Sequence, residues 1–383
     1  MKGKAPSKGL GMGTICVHSG TVPDAIGGGT SSPIVTSSSF RLLEEGGKQS
    51  YPRYFNTPNQ EGIGKKVAAL ENAEDGMVFG SGMAAISAFL LSTLRKGDHA
   101  VFQRGIYGGT RDLVSTVLVE NGVEVSWADS IEGCRGAVKK STKVLYVETP
   151  SNPTLRCIDL KLLAELATHS GAISVVDNTF ATPINQNPIE FGIHVVIHSA
   201  TKYLNGHGDL SAGVVVSQSS FLEAIWDDAI CLGGVLNAHD CYQLERGLKT
   251  LAIRVQKHNE NASAVADFLV RHSAVGRVYY PGLPGDPDYR IARDQMRGFG
   301  GMVSFEPEGS VDLDSFQRRL ELIRPAISLG GVDSLVCIPS QTSHRKVPRA
   351  EMRRMGLDSR LVRLSVGIED IDDLLEDLER ALT

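Results

Sequence analysis

The sequence predicts an α/β protein, with a doubly wound and mostly parallel sheet in a large domain and a smaller α+β domain towards the C-terminus. From residue 62 onward, short apolar runs alternate with amphipathic stretches, which is the pattern of repeated βα units. Several of these runs are continuous in Val and Ile without polar alternation, as is typical of parallel strands covered on both faces. A chain of 383 residues has room for about two or three domains.

The elements of the large domain follow in order along the chain. Helical patterns at 65–70 and 83–94 lie on either side of a short apolar run at 77–79. The other predicted elements are a strand at 99–103, a helix at 111–120, buried strands at 143–147, 173–176, 194–198 and 213–216, and a helix at 159–170.

Long helices at 237–258 and 261–271 are predicted to lead into the smaller domain, which ends with a strand at 361–366 and a helix at 370–382. We place the domain boundary near Arg254. The predicted units are an N-terminal arm at 1–54, a large domain at 55–253 and a small α+β domain at 254–383.

The first fifty residues are rich in Gly, Ser, Thr and Pro and show no sustained helical or strand period. Two interpretations are open, a disordered tail and an extended arm that contacts a neighbouring subunit. Phe40, Tyr51, Tyr54 and Phe55 favour the arm, because aromatic residues are unusual in disordered segments.

Composition excludes several function classes. The net charge is −5, so no global positive field would attract nucleic acid. No run of about 18 apolar residues and no signal-like segment occurs, and we therefore expect a cytoplasmic protein without a membrane span. The six cysteines are scattered, without a C-x-x-C pair or a Cys/His cluster, which predicts free thiols and no metal site.

Polar residues gather directly after three predicted strands, where a doubly wound sheet binds its ligands. They occupy 148–152, 177–179 and 198–202. An isolated lysine there would be an exposed side chain beside a turn, since lysine is seldom buried. Lys202, however, follows the hydroxyl residues Ser199 and Thr201, which can hold a phosphate. This combination is suited to a cofactor that is bound as a Schiff base.

Asp177 directly follows the apolar residues Val175 and Val176 at the end of a predicted strand. It could cap a turn, or its carboxylate could pair with the pyridine nitrogen of pyridoxal phosphate and keep that ring electron-accepting. Gly82 and Met83 open a predicted helix after a Gly-Ser-Gly turn, where free N–H groups and the helix dipole favour an anion. Such turns are also common in ordinary loops, so the motif is supporting evidence only.

Six strings carry a specific resemblance. SGMAAI, YGGT, VETPSNPTL, VVDNTF, HSATKYLNGH and RLSVGIED, in this order over nearly the whole chain, resemble the trans-sulfuration (Cys/Met metabolism) family of fold-type-I pyridoxal-phosphate enzymes. The family includes cystathionine β- and γ-lyases, methionine γ-lyase, cystathionine γ-synthase and the homoserine-ester sulfhydrylases. The resemblance implies a seven-stranded, mostly parallel sheet and pyridoxal 5'-phosphate as the cofactor.

The resemblance also implies roles for individual residues. Lys202 would form the internal aldimine, Asp177 would hold the pyridine nitrogen and Tyr107 would stack on the ring. The remaining implied ligands are Gly82, Met83, Ser199 and Thr201 for the phosphate, and Asn152, Ser328 and Arg363 for the α-carboxylate of an amino-acid substrate. The alternative interpretation of Arg363 is a surface ion pair.

Tyr51 and Arg53 match the family's Tyr-x-Arg element, which reaches the phosphate of a neighbouring subunit. The resemblance therefore implies a homotetramer built from two catalytic dimers. The chain then reads Asn-Thr-Pro-Asn at 56–59 where the family usually has Asn-Pro-Thr, which leaves the path of this loop open.

The expected reaction is β- or γ-elimination on cystathionine, methionine, homocysteine or cysteine, giving a 2-oxo acid, ammonia and a thiol. Lys202 would be the base, and Tyr107 would activate the incoming amine or protonate the departing thiol. Ile327 stands where cystathionine γ-synthases and γ-lyases typically have Glu. Those enzymes also tend to have Arg two residues after the YGGT string, where this chain has Arg111 followed by Asp112. Both departures favour shorter thioethers. Gly109 replaces the Cys that is usual in methionine γ-lyases, so the preferred substrate stays open.

Three alternatives remain open. The chain could be a γ-replacement enzyme that condenses an activated homoserine with cysteine or sulfide. It could be an aminotransferase or decarboxylase with the same cofactor, or an inactive protein that retains the fold. The filled lysine, aspartate and arginine positions argue against the inactive protein.

Overall fold

Two β-sheets organise the chain, of which a computed structural model describes residues 9–42, 49–342, 345, 352 and 357–383. Two parts of the predicted arm, residues 1–8 and 43–48, lie outside the described residues. The strands of the large sheet are β1 (Asp75–Phe79), β2 (His99–Gln103), β3 (Glu124–Ala128), β4 (Thr142–Glu148), β5 (Ile173–Asp177), β6 (Val195–His198) and β7 (Gly213–Ser217).

The large sheet has seven strands in the order β1-β7-β6-β5-β4-β2-β3. Strand β7 pairs antiparallel with β1 and with β6, and the other neighbours are parallel. The predicted seven-stranded, mostly parallel sheet is therefore confirmed. All five strands predicted in the large domain are present, as β2 and β4 to β7.

Burial on both faces explains why Val and Ile dominate the central strands. Val176 and Val196 belong to the apolar cluster on one face of the sheet, and Val175 and Val195 belong to the cluster on the other. Each such side chain contributes roughly 1.5–3 kcal/mol when it is fully buried. Strand β3 was not predicted, because it lies at the sheet edge and most of its residues are partly exposed.

Helices cover both faces of the large sheet. The helices with described bounds include α1 (Met12–His18), α2 (Pro58–Glu71), α3 (Gly82–Thr93), α4 (Gly108–Leu113), α5 (Ile131–Ala137), α6 (Leu160–Ser170), α7 (Thr182–Asn185), α8 (Ser219–Leu232), α9 (Ala238–Leu248), α10 (Leu251–Arg271), α11 (Tyr289–Gln295), α12 (Leu313–Arg319) and α13 (Ile371–Leu382). Helices α2, α6 and α9 lie on one face of the sheet, and α3 and α8 lie on the other. The doubly wound arrangement is thus confirmed.

The smaller sheet has the strand order β10-β11-β12-β9-β8. Val303 and Phe305 of this sheet form a core with Val265 of α10 and Leu378 of α13. The predicted final strand and helix are confirmed as β12 and α13. The five strands are β8 (Val275–Tyr279), β9 (Met302–Pro307), β10 (Arg324–Pro325), β11 (Leu335–Cys337) and β12 (Val362–Ser365).

The predicted boundary between the two long helices is wrong. The chain bends at Thr250, between α9 and α10, and it continues as a helix through 258–261. Asn261 resembles a helix end in the sequence, but it is buried and its Nδ2 donates to the carbonyl oxygens of Gly367 (3.1 Å) and Glu369 (2.8 Å). A tertiary contact therefore holds this asparagine inside the helix.

The arm contains a short helix that was not predicted. Ile15 and Cys16 of α1 are buried in the core of their own chain, and the buried Lys66 donates from Nζ to the carbonyl oxygen of Cys16 at 3.0 Å. All six cysteines are free, as predicted. Among the residues that the structure describes, no helix combines the length and the apolar character that crossing a bilayer requires.

Arg254 ties helix α10 to the loop that follows β6. Its guanidinium is buried, and it donates to the carbonyl oxygens of Tyr203 (2.8 Å) and Gly247 (2.8 Å) and to Oγ1 of Thr250 (3.0 Å). Burial lowers the pKa of Arg254 to about 10. The helix thus fixes the segment that carries Lys202.

We expect Arg254→Ala to destabilise the protein by about 2–4 kcal/mol, because it removes three hydrogen bonds of a buried guanidinium and takes the donor away from the carbonyl oxygen of Tyr203. Urea unfolding followed by circular dichroism measures this change. Arg246→Ala, at an exposed position of α9, is the matched control and should change the free energy of unfolding by less than about 0.5 kcal/mol. Equal effects of the two substitutions would contradict the assigned role of Arg254.

Candidate active site

A cavity of about 770 Å³ opens at the carboxyl ends of β4, β5 and β6. This is the edge at which a doubly wound sheet binds ligands. Every site residue predicted from the sequence lines it except Tyr51 and Arg53. The predicted residues that it brings together are Gly82, Met83, Tyr107, Asn152, Asp177, Ser199, Thr201, Lys202, Ser328 and Arg363.

Lys202 lies in the loop after β6 and extends its side chain towards the smaller sheet. Its Nζ donates to Oγ of Ser328 at 2.9 Å. Burial lowers the pKa of Lys202, and the nearby positive charge of Arg363 lowers it further. A lowered pKa means that more of the amine is neutral at a given pH, as a nucleophile or proton acceptor requires.

Asp177 ends β5 and lies at the floor of the cavity. Its Oδ1 accepts from Oγ1 of Thr179 at 2.5 Å and from the backbone N–H of Thr179 at 3.1 Å. Burial raises the pKa of Asp177, whereas the two donors of Thr179 and the neighbouring His198 oppose that rise. These hydrogen bonds favour the anionic form that a protonated ring nitrogen would pair with.

The start of helix α3 forms an anion cradle opposite Ser199. Ser81 caps the helix, its Oγ accepting from the N–H of Ala84 at 3.0 Å, and the N–H groups of Gly82 and Met83 have no partner within the helix. A Cβ on Gly82 would lie 2.9 Å from Cβ of Ser199. Only glycine therefore allows this approach, and the cradle fits a phosphate.

The hydroxyl of Thr201 helps to hold the loop on the same side of the cavity. It donates to the carbonyl oxygen of Ala212 at 3.2 Å and accepts from the N–H of Ala212 at 3.0 Å. Its oxygen retains a further lone pair for a ligand. Ser211, which was not predicted, lines the cavity beside it.

Arg363 enters the cavity from β12 of the smaller sheet. Its Nη1 donates to Oδ1 of Asn152 at 3.0 Å and its Nη2 donates to the carbonyl oxygen of Ser328 at 3.1 Å. The side chain is buried, its Nε has no hydrogen-bond partner, and it forms no ion pair with any acidic residue that the structure describes. A buried guanidinium without an anion is unfavourable unless a carboxylate ligand binds to it.

Ser328 lies between the two basic side chains and has an unusual backbone conformation. Its φ is 97°, in the left-handed region that non-glycine residues rarely adopt. Such conformations concentrate at functional sites, where the surrounding structure holds them in place. This backbone conformation places Oγ of Ser328 next to Lys202 and its carbonyl oxygen next to Arg363.

Several lining residues were not identified as site residues from the sequence. Glu148 and Thr179 belong to the polar runs after the strands, so a signal was present for both. Gln341, Thr342 and Arg345 belong to a different part of the cavity wall and carry no motif. Only the folding of the smaller domain brings these three residues to the site.

Tyr51 and Arg53 lie outside the cavity of their own chain. The side chain of Tyr51 is 39% exposed, and Cζ of Arg53 lies 5.7 Å from the centre of the Tyr51 ring. The predicted role of this pair in a neighbouring subunit stays a prediction.

The fold and the site together define a class. The sheet is doubly wound, a lysine follows β6, a buried aspartate ends the neighbouring strand β5, and a helix N-terminus forms an anion cradle. This is the arrangement of a fold-type-I pyridoxal-phosphate enzyme. The family model described as Cys/Met metabolism PLP-dependent enzyme matches residues 13–383. The chain belongs to this family.

Individual relatives resemble the chain over almost its whole length. The cystathionine beta-lyase of Coxiella burnetii is 43% identical, with 96% of this chain and 97% of the relative covered. The L-methionine gamma-lyase of Fusobacterium nucleatum subsp. nucleatum is 40% identical over 98% of both. The crystal structure of the cystathionine gamma-lyase of Lactobacillus plantarum complexed with L-serine superposes with a TM-score of 0.94 at 38% identity, covering 97% of this chain and 98% of that one.

These comparisons confirm the predictions of the family, the fold type, an enzyme of the lyase type and pyridoxal phosphate as the cofactor.

We expect Thr179→Val to weaken the binding of pyridoxal phosphate about tenfold, because the loss of one hydroxyl bond raises the pKa of Asp177 and removes about 1.4 kcal/mol of support for its anion. The same hydroxyl accepts from the N–H of Ser199 at 2.8 Å. Cofactor titration followed by fluorescence quenching measures the affinity. Thr179→Ser keeps the hydroxyl and should bind like the unchanged protein; a tenfold loss in both variants would argue against this hydrogen bond.

Proposed function

We propose that this chain is a carbon–sulfur lyase that acts by β- or γ-elimination on cystathionine, methionine, homocysteine or cysteine and releases a 2-oxo acid, ammonia and a thiol. One observation carries the proposal. Lys202 and Arg363 meet at Ser328, so that an amine and an unpaired guanidinium lie on either side of one residue. An amino acid whose carboxylate is bound by Arg363 would present its α-carbon to Lys202.

The lining residues fit pyridoxal phosphate. Lys202 would hold its aldehyde covalently and Asp177 would pair with its ring nitrogen. When bound, the cofactor supplies a ring that accepts electrons and stabilises negative charge at the α-carbon of the substrate. The residues that would bind its phosphate are Gly82, Met83, Ser199 and Thr201.

The contacts of Arg363 explain how the substrate carboxylate would be oriented. Asn152 uses its Oδ1 to accept from Nη1 of Arg363, so its Nδ2 remains as a donor to the same carboxylate. Nε of Arg363 supplies a further donor. Two nitrogens of a planar guanidinium match the two oxygens of a carboxylate, which a single charged amine could not do.

Lys202 and Tyr107 are the proposed proton-transfer groups. The lowered pKa of Lys202 suits an amine that takes the α-proton of the substrate. Tyr107 is the N-cap residue of helix α4, and its side chain is 45% exposed at the cavity. Its phenol is therefore accessible to the departing sulfur, to which it would supply a proton.

Arg111, Asp112 and Ile327 line a part of the cavity that could accommodate thioether substrates of different length. Arg111 is neutralised by Asp112, with Nη2 and Oδ1 3.0 Å apart. The apolar Ile327 is largely exposed beside Ser328. A methyl group could therefore lie here without leaving a buried charge unpaired, whereas the Arg111–Asp112 pair and Arg345 could contact the charged end of a longer substrate.

A substrate panel tests the reaction. The protein reconstituted with pyridoxal phosphate is incubated separately with cystathionine, methionine, homocysteine and cysteine. The 2-oxo acid is measured together with the released sulfur product, which is a thiol from cystathionine and methionine and hydrogen sulfide from homocysteine and cysteine. We expect equal amounts of both products from at least one substrate. Lys202→Ala is the control, and it should lack both the turnover and the visible absorption band that borohydride abolishes.

Other outcomes of the panel would identify the alternatives. Keto acid without release of a thiol or sulfide would indicate transamination. Condensation of O-succinylhomoserine with saturating cysteine, without 2-oxobutanoate, would indicate a γ-replacement enzyme. Turnover that survives in Lys202→Ala would overturn the proposed site.

We expect Arg363→Lys to lower kcat/KM by about a hundredfold, mainly through KM, because lysine keeps the charge but loses the two-point contact with the carboxylate. The affinity for pyridoxal phosphate should stay within about twofold of the unchanged protein, since Arg363 lies on the substrate side of the cavity. Steady-state kinetics and cofactor titration provide the two measurements. An unchanged KM would show that the carboxylate binds elsewhere.

We further infer a homotetramer of two catalytic dimers. The exposure of Tyr51 and Arg53, outside the cavity of their own chain, supports a contact with the cofactor phosphate of a neighbouring subunit. The cytoplasm remains the predicted compartment. No partner beyond the amino-acid substrate and other copies of the chain is proposed.

A further inference from the structure

Glu148 is a buried carboxyl group in the cavity wall for which the proposed reaction has no role. It ends β4, and its side chain is 6% exposed. Its Oε1 accepts from the backbone N–H of Tyr107 at 2.6 Å. Its own N–H donates to Oε1 of Gln103, at the end of β2, at 2.8 Å. Glu148 thus joins the Tyr107 segment to the ends of two strands.

A second carboxyl group lies directly beside it. Glu148 and Asp177 are paired in register on the parallel strands β4 and β5, and both line the cavity. Two adjacent buried carboxylates repel each other, so one of them retains its proton near neutral pH. The cavity floor therefore holds one negative charge, and the hydrogen bonds decide where it lies.

Those hydrogen bonds favour the charge on Asp177. Asp177 accepts from two donors of Thr179 and is further stabilised by His198, whereas Glu148 accepts from the single N–H of Tyr107. Burial, followed by the charge of Asp177, raises the pKa of Glu148 well above its usual range. The hydrogen bonds thus favour the proton on Glu148 and the negative charge on Asp177.

The ring of Tyr107 is held by a second feature. A Cβ on Gly109 would lie 2.6 Å from Cε1 of Tyr107 and 3.0 Å from Sδ of Met83. The ring therefore occupies the space that the missing side chain of Gly109 leaves beside Met83. The backbone of Tyr107 is fixed by Glu148 and its ring by Gly109, so its phenol is directed by two independent contacts.

We propose that Glu148 is a positioning residue that works as a neutral carboxylic acid. Its carbonyl oxygen holds the backbone of Tyr107, and its lack of charge leaves the negative charge of the cavity floor on Asp177. The roles of Tyr107 and Asp177 rest on the proposed function. The charge and the contacts of Glu148 do not depend on which sulfur amino acid is the substrate.

Glutamine and alanine substitutions separate the charge of Glu148 from its hydrogen bond. Glu148→Gln keeps the acceptor oxygen and is neutral, so we expect its cofactor affinity, its visible circular dichroism without substrate and its kcat/KM to stay within about threefold of the unchanged protein. Glu148→Ala loses the acceptor, and we expect at least a tenfold loss of kcat/KM and a shifted pH profile. If Glu148→Gln lost as much as Glu148→Ala, Glu148 would act as an anion and the proposal would be wrong.

A double-mutant cycle tests whether Glu148 acts through Tyr107. Tyr107→Phe removes the phenol and keeps the backbone N–H. In that background Glu148→Ala should lower kcat/KM by less than about threefold, since there is no phenol left to misplace. A loss that multiplies with that of Tyr107→Phe would overturn the proposal.

The cofactor measurements keep this test separate from the proposed function. Cofactor affinity and circular dichroism of the holoenzyme are recorded without a substrate, and the variants can be compared with these readouts whatever the substrate panel shows. Thermal unfolding of each variant identifies a loss that is caused by misfolding. If Glu148→Ala fails to fold, Glu148→Gln still tests whether Glu148 acts as a neutral acid, because a tenfold loss in a folded Glu148→Gln would overturn the proposal.

Discussion

The contact of Lys202 and Arg363 with Ser328 is the interaction on which the rest of the site depends. Lys202 follows a strand of the large sheet, and Arg363 lies on a strand of the smaller one. Two neighbouring positive charges repel each other, so the surrounding structure must hold these side chains in place. The left-handed backbone of Ser328 and the burial of Arg363 are signs of this constraint. The cavity exists because the two sheets meet at this point.

Burial shifts the pKa values of the basic and the acidic groups of the cavity in opposite directions. It lowers the pKa of Lys202, which makes the amine more readily neutral, and it raises the pKa values of Asp177 and Glu148. The donors of Thr179 counteract this rise at Asp177 alone. One environment can therefore provide a neutral amine, an anion and a neutral acid within the same cavity, with the difference made by individual hydrogen bonds.

The prediction of the fold succeeded where a pattern is repeated and failed where tertiary contacts override local preference. Runs rich in Val and Ile identified β5, β6 and β7, because strands covered on both faces are predominantly apolar. The edge strand β3 has no such signal. The boundary of α10 was misplaced because Asn261 is held inside the helix by carbonyl groups distant in sequence. The bend at Thr250 was missed although Gly247 lies in the last turn of α9.

The sequence by itself determined the chemical groups of the site and the edge of the sheet at which they lie. Polar residues after apolar strands must converge there in a parallel sheet, and the motifs indicate the family, so the sequence alone predicts Lys202 and Asp177 as site residues. The tertiary structure alone decided which groups touch. Lys202 and Arg363 lie 161 positions apart (363 minus 202) and meet at Ser328 only through domain packing. The pairing of Glu148 with Asp177 and the fit of the Tyr107 ring against Gly109 likewise depend on strand register and packing. Local sequence cannot encode these contacts, because each depends on the relative position of segments that are far apart in the chain.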